Sequence, residues 1–327
     1  MDWIEDAFSF VQQWLFEALM QPAMFALGLG HLLEDGYAAS GWLLVGLIQI
    51  AVLVVVIGPL QRWRPVEPVT DRATIRTDML YTIIHRLGLF RVALFFLVDP
   101  LFDQLFGMLR VAGFGTFHLD QLLPGVTDQA LVSFAIYLVV FDFVDYWMHR
   151  AQHGLNWWWS LHSLHHAQRQ MTMWSDNRNH LLDDLLRDSL LVLLAQLIGV
   201  GPGQFVAIVA ITQLSESLQH ANLRLWFGRV GERLWISPRF HRLHHSIGVG
   251  HESGEGGAVI VQGRSPALGG HNFGVLFPWW DMLFGTSNFE QRYDPTGVRD
   301  QVEQGRDYGR GFWSQQWLGV KRLFGKG

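Results

Sequence analysis

Apolar residues run almost unbroken from Gly41 to Leu60, with Gln49 the only strongly polar side chain among them. A membrane-spanning helix needs about 20 such residues, so this segment predicts a span. Arg62, Arg64, Arg72 and Arg76 follow it, whereas Glu34 and Asp35 precede it. The positive-inside bias then puts residue 61 onward in the cytoplasm. A second stretch within Leu87 to Met108 predicts an interrupted span, because Arg91, Asp99, Pro100 and Asp103 punctuate it. The loop from Val111 to Asp128 has no Lys or Arg, as a far-side loop should, and Ala130 to Trp147 predicts the return. Ser189 to Gln219 is apolar but split by Gly199-Val200-Gly201-Pro202-Gly203, strong helix punctuation. It predicts a helical hairpin, each half short enough to be re-entrant. Phe8 to Leu29 mixes apolar residues with Gln12, Gln13, Glu17 and Pro22, and predicts either a span or an interfacial helix.

This pattern implies an all-α integral membrane protein. Transmembrane helices and re-entrant or hairpin helices carry a cytoplasmic helical cap, which holds residues from His149 to Arg187 and from His220 onward. Trp157-Trp158-Trp159 is expected at the headgroup boundary, where indole has an apolar body and a donor. The acidic N-terminus has no positive n-region, so a cleaved secretory signal is not expected. The location implied is multi-pass, in an inner or cell membrane. Composition agrees: half of the 327 residues are apolar and 16% are charged, against roughly 25% charged in soluble domains. The net charge is −5 with no long basic run, which argues against a nucleic-acid partner.

The chain has 15 histidines and no cysteine, so any transition metal must sit on imidazole and carboxylate rather than thiolate. Ten histidines fall between residues 149 and 245, in groups. His149 and His153 are four apart and share a helix face, just beyond the end of the Ala130 to Trp147 helix. His162, His165 and His166 form an HxxHH group, as do His241, His244 and His245. Adjacent helical residues are turned about 100° apart, so one HxxHH can touch two metal ions. His180 and His220 complete a ligand set too large for one ion. Glu216, one turn before His220, is a possible ligand. Asp145, Asp183 and Asp184 are candidates to accept the second N–H of a ligating histidine, with Arg150 and Arg242 as their anchors. His31, His85 and His118, single in apolar segments, read as satisfied core residues.

These groups resemble the fatty acid hydroxylase and sterol desaturase superfamily of histidine-rich di-iron membrane enzymes. The resemblance covers about residues 130 to 290. It extends to Asp145-Tyr-Trp-Met-His149-Arg150, Arg178-Asn-His180, His220-Ala-Asn222, Pro238-Arg-Phe-His241-Arg-Leu-His244-His245, Asn272-Phe-Gly274 and Trp280-Asp-Met-Leu-Phe-Gly-Thr286. Leu181 stands where the family usually has proline. A Gly-rich segment, His251 to Gly270, is longer than expected. The resemblance implies N-terminal membrane helices and loops over 1–128, a catalytic domain over 129–290 and a cytoplasmic tail over 291–327. It also implies two iron ions, with zinc as a substitute during purification. Asn222, Asn272 and His271 become further possible ligands or ligand supports. The implied reaction is O2-dependent hydroxylation of a lipid (fatty acyl, sterol or related), with desaturation at the same site as the alternative. Substrate-path residues are expected on the helices at 130–147 and 189–219. No cytochrome b5 or dinucleotide signature is present, so electrons would come from a separate ferredoxin or cytochrome b5 with its reductase.

Two rivals stay open. A zinc hydrolase would work without O2 but usually has an HExxH glutamate base, and His251-Glu252 lacks the second histidine. A non-catalytic metal- or lipid-binding protein would bind metal and change no lipid.

Overall fold

The computed structural model describes residues 2–247 and 270–326, and among them no β-strand forms. Helix α1 (Asp2–Leu15) continues through a π turn into Gln21–Ala26. α2 (Leu33–Val52) is the middle of one helical run, Gly30–Trp63, that contains the predicted first span. α3 (Arg72–Arg86) follows, its N-terminus capped by the Asp71 carboxylate accepting from Thr74 N. The interrupted second span resolves into α4 (Leu89–Leu97) and α5 (Asp99–Val111), which breaks at Val98 ahead of Pro100. At 1.5 Å per residue neither reaches the roughly 30 Å of a hydrocarbon core. α6 (Ala130–Gly154) and Gly30–Trp63 are the two helices among the described residues long and apolar enough to cross a membrane.

α6 runs seven residues beyond Trp147, so His149 and His153 stand on the helix and not past its end. α7 (Asn156–His166) turns back beside it. The predicted hairpin is α8 (Leu181–Ile198) and α9 (Pro202–His220). Gly199 ends α8 at φ 71°, a left-handed conformation open to glycine, and Pro202 starts α9. α10 (Pro238–His244) carries the last histidine group, and α11 (Phe312–Leu323) lies near the C-terminus.

Apolar packing binds α6, α7, α8 and α9 through Tyr137, Phe141, Met148, Trp158, Leu191 and Ile208. Gln49, the polar exception in the first span, is used: its amide donates to Ala210 O (3.0 Å) and its oxygen accepts from Arg86. Arg86 is buried and also donates to Asp176, Gln213 O and Ser217. Gly46 permits this approach, since a Cβ there would lie 1.6 Å from the Arg86 carbonyl oxygen.

The region 291–327 is not a free tail. α11 packs on α7, where Arg322 donates to Ser160 O, and Gln316 reaches Tyr81 OH and Asn179 O. The tryptophan cluster also differs from expectation. Trp158 and Trp159 are buried, and only Trp157 is substantially exposed. The Trp158 indole is used in the interior, donating to Asp183 at 2.6 Å.

Candidate metal centre

Nine of the ten grouped histidines, all buried, meet where α6, α7, α9 and α10 converge. His149, His153, His162 and His166 place ring nitrogens within 4.8 Å of one another, and so do His165, His220, His241 and His245. A third set, His166, His244 and His245, overlaps both. Helical periodicity causes this division. His162 and His166 are a turn apart and enter one group, whereas His165 is rotated away from His166 and enters the other. α10 divides similarly: His245 joins His241, while His244 has its ring centroid 4.4 Å from His149.

The donors fit metal. His220 Nε2 lies 3.1 Å from His165 Nε2 and 3.2 Å from His241 Nε2, and His241 Nε2 lies 3.2 Å from His245 Nε2. A metal with bonds of about 2.0–2.1 Å to nitrogen has octahedral or tetrahedral edges of roughly 2.8–3.4 Å. Burial holds the His165 and His241 imidazoles well below their usual pKa, in the neutral form that ligates. His162 Nε2 is buried without a hydrogen-bond partner.

Four of the nine are oriented through the other ring nitrogen. His149 Nδ1 donates to Phe273 O, His244 Nδ1 to His271 O, and His220 Nδ1 to Glu216 O, each at 2.8 Å. His162 Nδ1 pairs with Asp183 Oδ2 at 3.0 Å, and Asp183 also accepts from Gln152 and Trp158. Such contacts fix ring and tautomer and leave Nε2 for the metal. The loop from His271 to Pro278, which supplies two of these carbonyls and leads into the short helix Trp279–Leu283, is held by two buried aspartates. Asp281 accepts from Phe273 N, Gly274 N and Thr286 Oγ1, and Asp142 from Leu276 N, Phe277 N and Trp280 Nε1. Sequence reasoning missed Asp142 and placed Asp281 only within the Trp280 to Thr286 run, with no role. Asp142 sits seven residues before His149, two turns along one helix face, which was the available signal.

The remaining candidates stand elsewhere. His180 is outside all three groups: its Nδ1 accepts from Leu182 N, capping α8, and its Nε2 donates to Gln316 O at 2.8 Å. Asp145 does not take the His149 proton; it pairs with Arg187 (2.9 Å). Asp184 lies 3.3 Å from His85. Asn222 clamps the chain after the first span, through Val66 N, Glu67 N and Glu67 O. Asn272, at φ 60°, uses its side chain to hold Phe240 O, Asn288 O and Asn288 N. The His271 ring is buried with neither nitrogen bonded, and burial pushes its pKa down to about 4; its carbonyl rather than its ring reaches the site. Arg150 donates to Tyr146 OH, and Arg242 pairs with Glu67. Neither anchors the predicted carboxylates. His31 is exposed and His118 partly so, which departs from a core role, while His85 is largely buried. The Gly-rich segment, apart from Gly270, lies outside the described residues.

A pocket partly open to solvent, with about 510 Å³ of empty space, lies beside the histidines and is lined by His149, His162, His165, His220 and His241 among others. A second, of about 490 Å³, lies between α6, α8 and α9 against Phe141, Leu191, Val192, Phe205, Ile208 and Val209. Asp145, Arg187 and the Glu216 side chain line both.

The fatty acid hydroxylase family model matches residues 134–286. Over 182 residues, 54% of this chain and 50% of the relative, the sequence is 28% identical to ornithine lipid hydroxylase OlsE of Rhizobium tropici. Over 157 residues it is 26% identical to alkylglycerol monooxygenase of Caenorhabditis elegans, covering 47% of this chain and 26% of the relative. The chain thus aligns with half or less of either relative's length. No solved structure matches it.

Proposed function

The chain belongs to the fatty acid hydroxylase superfamily, and from that membership we propose that it is an O2-dependent membrane oxygenase that hydroxylates a C–H bond of a lipid. The observation that carries this reading is the convergence of nine buried histidines into overlapping metal-binding groups, beside a cavity that adjoins one partly lined by hydrocarbon side chains. His149, His153, His162 and His166 would hold one iron ion, and His165, His220, His241 and His245 the other, with His244 between them. Bound iron would supply O2 activation, which no side chain of this protein can provide.

The protein's own groups bind and orient. Phe273 O, His271 O, Glu216 O and Asp183 keep four imidazoles in the tautomer whose Nε2 faces inward. Phe141, Leu191, Phe205 and Ile208 offer a hydrocarbon-compatible path from α6, α8 and α9, the helices on which a lipid path was expected. Overall, one oxygen atom of O2 enters the C–H bond and the other leaves as water. Two electrons and two protons come from a separate ferredoxin or cytochrome b5 donor with its reductase. The site faces the cytoplasm, where such donors work, in a multi-pass protein of the cell membrane.

The test is lipid mass spectrometry of membranes with and without the gene, under O2 and with a reductase system. A lipid gaining one oxygen atom in the wild type, and lost in His165→Ala and His244→Ala together with iron, is the expected result. Turnover that persists without O2, or with the metal removed, overturns it.

A further inference from the structure

Asp145, Arg187 and Glu216, from three different helices, stand where the two cavities meet. Ionisable groups inside a membrane-helix bundle are costly to bury and mark pathways. This set is not closed upon itself. Asp145 Oδ1 accepts from Arg187 Nε (3.1 Å) and pairs with Nη2 (2.9 Å), but Glu216 Oε1 stays 3.9 Å from Nη2. A guanidinium has five N–H donors, so Arg187 keeps capacity for a guest oxygen, and both Arg187 and Glu216 remain about a quarter exposed.

The two cavities also differ in character. Six hydrocarbon side chains line the outer one, with Arg91, Asp188, Thr212 and Gln213 besides the three residues shared with the inner one. The inner one is walled by histidines, carboxylates and amides, with Val275 its only hydrocarbon side chain among the described residues. A bare methylene chain inside it would displace water from polar groups and offer nothing in return. A lipid lying across both therefore fits in one sense, its chain outward and its polar end inward.

Resting on the oxygenase reading above, we infer that Asp145, Arg187 and Glu216 seat the polar group of a polar-headgroup lipid. The C–H bond presented to the histidines then belongs to the headgroup or adjoins its carbonyl, ester or ether linkage, and is not mid-chain. Arg187 takes an oxyanion or carbonyl oxygen, and Glu216 an N–H or O–H donor. They are positioning residues.

Two measurements on the full chain test this. Tandem mass spectrometry of the hydroxylated lipid should place the new oxygen on or beside the polar group; an oxygen in the middle or at the far end of an acyl chain overturns the inference while leaving the oxygenase reading intact. Independently of turnover, thermal stabilisation of the purified protein compares a lysophospholipid with an alkane of equal chain length. Wild type should favour the lysophospholipid. Glu216→Gln should weaken that probe roughly tenfold, as loss of a charge-assisted hydrogen bond does, and leave the alkane unchanged. Arg187→Lys, which keeps the positive charge among its carboxylates and loses the forked donor geometry, should do the same. Equal binding of both probes by wild type, or unchanged selectivity in both variants, overturns the inference. Selective binding without any oxygenated lipid supports it and counts instead against the oxygenase reading.

Discussion

His165 and His166 are neighbours in sequence and serve different groups, whereas His180, in an equally suggestive Arg-x-His, serves neither. The two kinds of histidine should respond differently to truncation. His165→Ala is expected to lose metal, measured as stoichiometry after anaerobic purification. His180→Ala should keep its metal and lose about 1–3 kcal/mol of stability, the worth of a helix cap and a buried hydrogen bond, measured by denaturation. Asp183→Asn tests the other layer: removing the carboxylate that orients His162 should weaken metal binding about 10–100-fold in chelator competition. The spacing of histidines was legible because ligands on one helix obey its period. Which acceptor each ring finds was not. His149 meets Phe273 O across 124 residues, a distance over which no local rule operates.

α8 and α9 were readable from the Gly-Pro break between them, since glycine and proline act on their own backbone. α7 with its tryptophans was not, because Trp158 turns inward to reach Asp183, on an element that follows it in the chain. The split at Val98 was foreseeable from Pro100, but the length of each piece was not. Contact between helices is harder still to read. Gly46 is one of several glycines in an apolar run, yet it alone among the described glycines would place a Cβ within 2 Å of any atom, the Arg86 carbonyl oxygen. Backbone cannot yield as a side chain can. Gly46→Ala, favourable by helix propensity, should therefore destabilise by about 1–3 kcal/mol or more through overpacking of α2 on α3. Thermal unfolding in a fixed detergent measures this, and an unchanged or higher midpoint would contradict the packing described.

In the whole molecule, the histidine cluster joins four helices whose sequence separation spans residues 130 to 244. With so many desolvated nitrogens facing inward, metal binding is folding free energy. Chelation should lower the unfolding midpoint by several degrees, and restoring iron or zinc should recover it; a midpoint indifferent to chelator would mean that the four helices hold themselves. The same cluster depends on the loop from His271 to Pro278, which directs ligands on α6 and α10 with the carbonyls of residues two apart. A carbonyl is one acceptor that a point mutation cannot delete. Changing the side chain at 271 or 273 leaves those bonds in place, although the buried Phe273 ring also packs on His149, His153 and His244, whereas removing the Asp142 or Asp281 carboxylate removes the bonds that hold the loop. The centre is therefore vulnerable also at positions that touch no ligand, those that brace the loop behind it.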